Sequence, residues 1–463
     1  MLEQELLNYT KSNVYPFHMP GHKRQGCFGA DPNQVDITEI HGFDNLHEPE
    51  GLLLDMMKKA ARLYGSRKSF LLVNGSTVGN LAAIYSVTHQ GGTIIMGRNC
   101  HKSVYHGAQL RQLKICYTNP KVSSEGVILG TPMEEYCRAI EECPDAEAIV
   151  VTSPTYEGMV EPLNEIVKLA HKHHMVVIVD GAHGAHFPFH KVFPPSPLES
   201  GADIVVMSLH KTLPALTQTA LLHVNKDAPV GDDVVQSYLS IFETSSPSYV
   251  LLSSIDRCLS FLEQSENAFS SYVDELRNFY AKCEQLEHLR IMSSPQQDMG
   301  KIVIVTGGAN ISGYELQRRL REEDGIELEM ASFYYALAMS SVMDTREGFD
   351  RLWQGLLRID ATCEKRQNRL FLADDLYGTR EKAMELYEAV ASDKKLCPWS
   401  EAFGKVAGEM VSLYPPGVPV LVPGEVITER SLEILNQALE EGLQVTGLRE
   451  EIQGEKGILV VVN

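Results

Sequence analysis

The chain has 463 residues, a hydrophobic content of 44%, a charged content of 22% and a formal net charge of −20. That length exceeds what one small core organises, so two or three domains are expected. The acidic balance excludes general binding to nucleic acid or anionic membranes, which need a basic face, and no apolar run approaches the roughly 20 residues of a membrane span.

The first residues, Met-Leu-Glu-Gln-Glu-Leu-Leu, lack the basic start and apolar core of a secretory signal. Nine cysteines without a C-x-x-C pair read as reduced thiols. Both features lead to the expectation of a cytoplasmic protein.

Residues 1–50 are expected to form an irregular arm after one short helix, since prolines and glycine interrupt 15–23. Leu53, Met56, Met57, Ala60 and Leu63 have helical spacing over 52–64. An apolar run over 69–73 predicts a strand, followed by Asn74-Gly75-Ser76-Thr77 and a helix over 78–89. Such a turn offers backbone N–H groups and the Ser76 and Thr77 hydroxyls to a phosphate. The same residues equally suit a plain helix N-cap.

Further strands are predicted over 93–96, 114–117, 146–152, 175–179, 203–207 and 220–224, with helices over 133–142 and 163–174. Seven strands alternating with helices predict an α/β fold with a mostly parallel sheet covered on both faces. His101 follows the 93–96 strand by a short loop, and the turn-forming segment 152–158 ends another. His183 and His186 stand at i and i+3, but flanking glycines disfavour a helix and no third zinc ligand follows. His171, His173 and His174 crowd a helix end, where solvent and the dipole account for them.

After Pro247 one long helix is predicted over 249–286, bridging a large domain of residues 51–285 to a smaller one of 286–463. In the second, a strand over 301–305, helices over 314–323 and 349–365, and a last strand over 458–462 are expected. The proline-broken stretch 414–425 suits a rigid loop near a functional surface or a structural corner.

Two residues suggest chemistry. Lys211 in Ser208-Leu209-His210-Lys211 follows the 203–207 run, and Asp180 follows the 175–179 run. Open α/β sheets hold ligands beyond the carboxyl ends of their strands. A lysine and an aspartate so placed suit pyridoxal phosphate, an aldehyde with a ring nitrogen: Lys211 would bond the aldehyde and Asp180 would keep the ring nitrogen protonated.

In order, Asn74-Gly-Ser-Thr77, Asn99-Cys-His-Lys-Ser103, Asp180-Gly-Ala-His183 and Ser208-Leu-His-Lys211 resemble the Orn/Lys/Arg decarboxylase family. Pro20-Gly-His-Lys23, Leu46-His-Glu-Pro-Glu-Gly51, Thr244-Ser-Ser-Pro-Ser-Tyr249 and the 415–425 loop extend the likeness over nearly the whole chain. It is to the short form, without the N-terminal wing domain. The resemblance implies the aspartate-aminotransferase-like fold of pyridoxal-phosphate enzymes and decarboxylation of arginine, lysine or ornithine to a polyamine-type amine and CO2.

It also implies roles. Lys211 would anchor the cofactor, Asp180 would pair with its ring nitrogen and His101 would stack on the ring. Ser76, Thr77, Ser208 and His210 would hold the phosphate, and His183 would lie beside the ring's phenolic oxygen. Thr217-Gln-Thr219 would approach the phosphate of a neighbouring subunit, implying at least a homodimer with shared sites. Family members often carry an acid where this chain has Gly181. Glu157 and Glu425 are candidates for the acidic side of a pocket for a cationic side chain. Lys211 or His210 would return a proton to Cα.

Other readings compete. An aminotransferase or lyase could use the same fold, although no arginine for the α-carboxylate stands out. A non-catalytic cofactor-binding protein would keep the fold without turnover. A nicotinamide dehydrogenase is disfavoured because no G-x-G-x-x-G follows a strand.

Overall fold

The computed structural model describes residues 2–25, 31–366, 376–414, 418–440, 444–452 and 455–462. Its centre is a seven-stranded sheet. In chain order the strands are β1 (Lys68–Leu72), β2 (Thr93–Gly97), β3 (Lys114–Thr118), β4 (Ala148–Thr152), β5 (Val176–Asp180), β6 (Ile204–Ser208) and β7 (Ala220–Val224). They lie side by side as β1-β7-β6-β5-β4-β2-β3. Only β7 runs antiparallel to its neighbours, β1 and β6. Every predicted strand of the large domain is therefore present, with ends that differ by at most two residues.

The strands are almost uniformly apolar because both faces are covered. Leu71, Ile95, Ile149, Val177, Val205 and Leu221 belong to the core on one face. Phe70, Ile94, Val150, Ile178, Val206 and Leu222 belong to the core on the other. Each such side chain stabilises the fold by roughly 1.5–3 kcal/mol through burial, so the sheet is a rigid platform for whatever stands on its rim.

Helix α1 (Leu52–Tyr64) leads into β1, and α2 (Gly75–Val87), α3 (Lys102–Leu110), α4 (Met133–Glu142), α5 (Leu163–Lys172) and the short α6 (Leu209–Thr212) lie between successive strands. The long helix expected over 249–286 is two helices, α7 (Tyr249–Leu262) and α8 (Glu266–Cys283). Ser265 closes the break by donating from Oγ to the Leu262 carbonyl at 2.9 Å. The break lets each helix bury its own face: α7 packs on α1, and α8 on a helix of the next unit, residues 346–360.

Past α8, a four-stranded sheet is built from Arg290–Ile291, Lys301–Val305, Met330–Ala331 and Tyr335–Met339. It is covered by helices Gly313–Asp324 and Arg346–Asp360, and its residues Ile302, Leu316 and Leu352 join the core of the large sheet. Residues beyond 376 gather around a separate core that includes Trp399, Val420 and Ile458. Of the proline-broken loop, 415–417 lie outside the described residues, whereas Pro419–Leu421 is a short strand. Among the described residues no helix is long and apolar enough to cross a membrane.

Candidate active site

The carboxyl ends of the parallel strands open into a cavity of about 550 Å³, closed on its far side by the C-terminal unit. Ser76, His101, Asp180, His183 and Lys211 all line it. Thr77, Ser208 and His210 stand in the same turns but are not part of the lining. Among residues the sequence did not single out, Tyr156 and, from the C-terminal unit, Glu409, Ser412 and Thr446 complete the wall. A larger cavity of about 700 Å³, near Glu284, Glu287 and Arg290, contains none of the predicted site residues.

Lys211 sits in α6, the single turn that continues β6. Burial lowers its amine below the ordinary lysine range, against the opposing charges of Asp180 and Glu329. Its Nζ lies 3.0 Å from His183 Nε2. The turn is clamped from outside by the Pro-Gly-His-Lys block: Gly21 N–H donates to the His210 carbonyl at 2.7 Å. Lys23 is buried and donates to the carbonyls of Pro16, His18 and Met339, so the lysine of that block is structural.

Asp180 ends β5 and is buried. One carboxylate oxygen accepts from Asn80 Nδ2 at 2.9 Å and the other from the Ala182 N–H at 3.2 Å. Neither contact depends on residue 181. A side chain at Gly181 would start 3.3 Å from the Val205 side chain, so the acid common in the family would be crowded here. Asn80 also donates to Ser103 Oγ at 2.9 Å, and Ser103 Oγ is 2.8 Å from His101 Nδ1. One buried amide thus ties the aspartate to the histidine across two strand ends. No motif marked Asn80; its place on the inner face of α2 was the available signal.

His101 is the N-cap of α3, where its Nδ1 accepts from the Ser103 N–H at 3.2 Å. Desolvation, and the nearby Lys211 and Lys102, hold its imidazole below the usual range, with Asp180 opposing. His101 thus caps a helix and also lines the cavity. The turn after β1 resolves differently from a simple cap. The N-cap of α2 is Asn74, without a side-chain capping bond, and Gly75 takes a left-handed φ of 77° that lets the chain enter the helix. Gly75 N–H donates to the Gln218 carbonyl at 2.8 Å, and the N–H groups of Ser76 and Thr77 with the Ser76 hydroxyl stand at the helix N-terminus, where a phosphate can accept from them.

His210 Nδ1–H donates to the Thr219 carbonyl at 3.0 Å, and burial, with the adjacent Lys211, lowers its pKa to about 4. Ser208 is fully buried, and among the described residues neither its Oγ nor Thr212 Oγ1 has a hydrogen-bond partner. A buried hydroxyl without a partner costs stability unless a ligand engages it. That cost, the uncapped helix N-terminus and the desolvated lysine facing a buried aspartate together fit a phosphorylated aldehyde with a ring nitrogen.

The two acids considered for the substrate side chain are elsewhere. Glu157 is fully buried and accepts from Tyr335 Oη at 2.9 Å. Glu425 pairs with Arg98 at 2.8 Å. The lining carboxylates are Asp180 and Glu409, the latter held by Arg449 Nη2 at 2.7 Å. Nothing in the local sequence distinguished Glu409 from other acids. His183 and His186, weighed as zinc ligands, face Lys211 and Asp298 respectively.

Comparisons with known proteins agree with this fold. An arginine decarboxylase of Bacillus subtilis (strain 168) is 31% identical over 96% of this chain and 94% of its own length. The solved constitutive lysine decarboxylase of E. coli superposes with a TM-score of 0.80 over 99% of this chain and 81% of that one, at 20% identity. A solved structure of SPT with PLP superposes with a TM-score of 0.58 over 75% of this chain and 87% of that one, at 15% identity. The family models for the Orn/Lys/Arg decarboxylase major domain and C-terminal domain match residues 2–317 and 364–458. The chain belongs to the Orn/Lys/Arg decarboxylase family.

Proposed function

We propose that this protein decarboxylates a basic amino acid, arginine, lysine or ornithine, with pyridoxal 5'-phosphate. The observation that carries the reading is the placement of Lys211 and Asp180 at adjacent strand ends, facing one cavity that His101 also lines. When bound, the cofactor supplies an electron sink for the charge left at Cα by loss of CO2.

The residues divide the work as follows. Lys211 provides the covalent anchor, and burial, which lowers its basicity, favours the free amine that attacks a carbonyl. Asp180 holds a proton at the ring nitrogen and is itself kept in place by Asn80 and the Ala182 N–H. Ser76, Thr77, Ser208 and the α2 N-terminus hold the phosphate, with His210 behind them. His101 covers the ring, and His183 stands beside Lys211. Lys211 is better placed than His210 to return the proton to Cα, because His210 is neutral above about pH 4 and spends its N–H on Thr219. Glu409 offers a carboxylate to the cationic end of the substrate. Thr217 and Gln218 are exposed beside the phosphate turn, which supports a homodimer with shared sites.

The test is a substrate panel. Amine and CO2 are measured with arginine, lysine and ornithine; product from one or more supports the reading. Keto acid in place of amine moves the assignment to transamination. Borohydride should bleach the yellow protein and leave the label on Lys211. A Lys211→Ala protein that stays yellow after dialysis overturns the anchor.

A further inference from the structure

Asn80, Ser103 and His101 form a hydrogen-bonded chain whose polarity is set at one end by Asp180. Asn80 is 1% exposed and Asp180 4%. Asn80 Nδ2 lies 2.9 Å from Asp180 Oδ2 and 2.9 Å from Ser103 Oγ. A carboxylate only accepts, and an amide nitrogen only donates. The reverse orientation would set Asn80 Oδ1 against the carboxylate, so the contact with Asp180 assigns the amide. Among the described residues Oδ1 has no partner, and the side chain is held through its two donors.

That orientation decides the direction of the Ser103 hydroxyl. Ser103 is fully buried, and its Oγ accepts from Asn80. Its own proton then needs an acceptor, and among the described residues the other partner of Oγ is His101 Nδ1 at 2.8 Å. The Ser103 backbone N–H, in the first turn of α3, donates to the same Nδ1 at 3.2 Å. Two donors of one buried residue therefore converge on one ring nitrogen. A protonated Nδ1 could accept from neither and would strand both away from water. Nδ1 keeps its lone pair, and the proton of the neutral ring sits on Nε2.

The charges around the ring agree with this assignment. Lys102 and His106 face His101 from its own helix, Lys211 from α6, His183 from the turn after β5 and Asp180 from the end of β5. Glu409 lines the same cavity from the C-terminal unit. Desolvation lowers the proton affinity of the ring, the neighbouring cations act with it, and Asp180 opposes. Asp180 is itself engaged by Asn80 and the Ala182 N–H.

We propose that Ser103 is a positioning residue: aligned by Asn80, it locks His101 as the neutral Nε2–H imidazole, so that the ring covering the cofactor carries no charge. The covering role rests on the cofactor reading above; the locked tautomer does not. A charged ring there would bring a second cation to the protonated ring nitrogen that Asp180 serves, and like charges disfavour one another. One amide thus holds the acceptor for that proton and excludes a competing charge.

The test uses the full-length protein labelled with 15N-histidine, the His101 signal being the one missing from His101→Gln. Without cofactor, wild-type His101 should show the neutral Nε2–H pattern at pH 7. Ser103→Ala should raise its titration midpoint by about one pH unit, a roughly tenfold gain in proton affinity. Ser103→Thr, which keeps the hydroxyl, should retain the wild-type midpoint. The acid limb of pyridoxal phosphate affinity should move up with the His101 midpoint. A purely structural role for Ser103 would lower the unfolding midpoint and leave both in place. An unmoved His101 midpoint in folded Ser103→Ala, or an acid limb that stays while that midpoint rises, overturns the inference. If Ser103→Ala does not fold, the wild-type signal decides, since an Nδ1–H or charged ring at pH 7 overturns it as well. A wild-type protein that binds no cofactor overturns the cofactor reading, while the nitrogen signals still decide the tautomer.

Discussion

Arg98 and Glu425 form a two-pronged ion pair, Nη1 to Oε1 at 2.8 Å and Nη2 to Oε2 at 2.9 Å, with both side chains buried. Arg98 follows β2 three residues before His101, and Glu425 belongs to the C-terminal unit that closes the cavity. The Arg98 guanidinium also lies 5.0 Å from the Tyr117 ring centroid. The pair thus couples the roof of the cavity to the loop that presents His101. Removing one partner of a buried pair strands a charge and costs about 3–5 kcal/mol. Glu425→Ala should lower stability by that order and weaken cofactor binding, measured by denaturant unfolding and cofactor titration. Arg98→Met combined with Glu425→Leu should recover much of the stability, because no uncompensated charge remains.

Gly21 has room for no side chain. A Cβ there would lie 2.8 Å from the Leu213 backbone N and O, and these atoms immediately follow the Lys211 turn. Gly21→Ala must push the arm off that turn, at a cost of about 1–3 kcal/mol typical of overpacking. The expected result is a lower unfolding midpoint together with slower cofactor capture, since the Gly21–His210 bond is lost as well. A stable variant with unchanged capture would show that the arm does not support Lys211.

Ser208→Ala separates a phosphate-holding role from a structural one by opposite signs. Among the described residues the Ser208 Oγ has no partner, so removing it should leave apoprotein stability unchanged or slightly higher. Affinity for pyridoxal phosphate should fall by about tenfold, the loss of one charge-assisted hydrogen bond at roughly 1.5 kcal/mol. Affinity for pyridoxal, which lacks the phosphate, should not change. Lower apoprotein stability with intact phosphate affinity would reverse the assignment.

His223 predicts an acid limit. It is fully buried in β7 against the Tyr64 ring, its Nδ1 is 2.7 Å from Ser69 Oγ, and burial lowers its pKa to about 3. The folded state therefore binds fewer protons than the unfolded chain between pH 6.5 and 3. Stability is full above about pH 6.5 and falls as pH drops through that window, by up to about 1.4 kcal/mol per pH unit for one proton. His223→Gln should remove one proton from this slope, read from urea midpoints at pH 7.5, 6 and 5. An identical slope in the variant would assign the acid sensitivity elsewhere.

The strands, their order of use and the residues at their ends were legible in the sequence. Apolar runs buried on both faces leave an unbroken signal, and a strand's end fixes where the next residue points. Lys211, Asp180 and His101 could be placed on one rim for that reason, and the family likeness agreed. The break between α7 and α8 was not legible, because Ser265 is a weak stop signal. What ended the helix was the separate packing partner of each half.

Lys301 and Glu409 were equally hidden. In sequence, Lys301 merely opens an apolar strand, and Glu409 is one acid among many. Their meaning comes from contacts over long separations: Lys301 with His183 of the large domain, Glu409 across the cavity from the strand ends. Local sequence determined the platform, its rim and the lysine–aspartate pair, since periodicity and turn chemistry act over a few residues. Only the tertiary structure decided which charges share one desolvated space, because those side chains meet across long sequence separations.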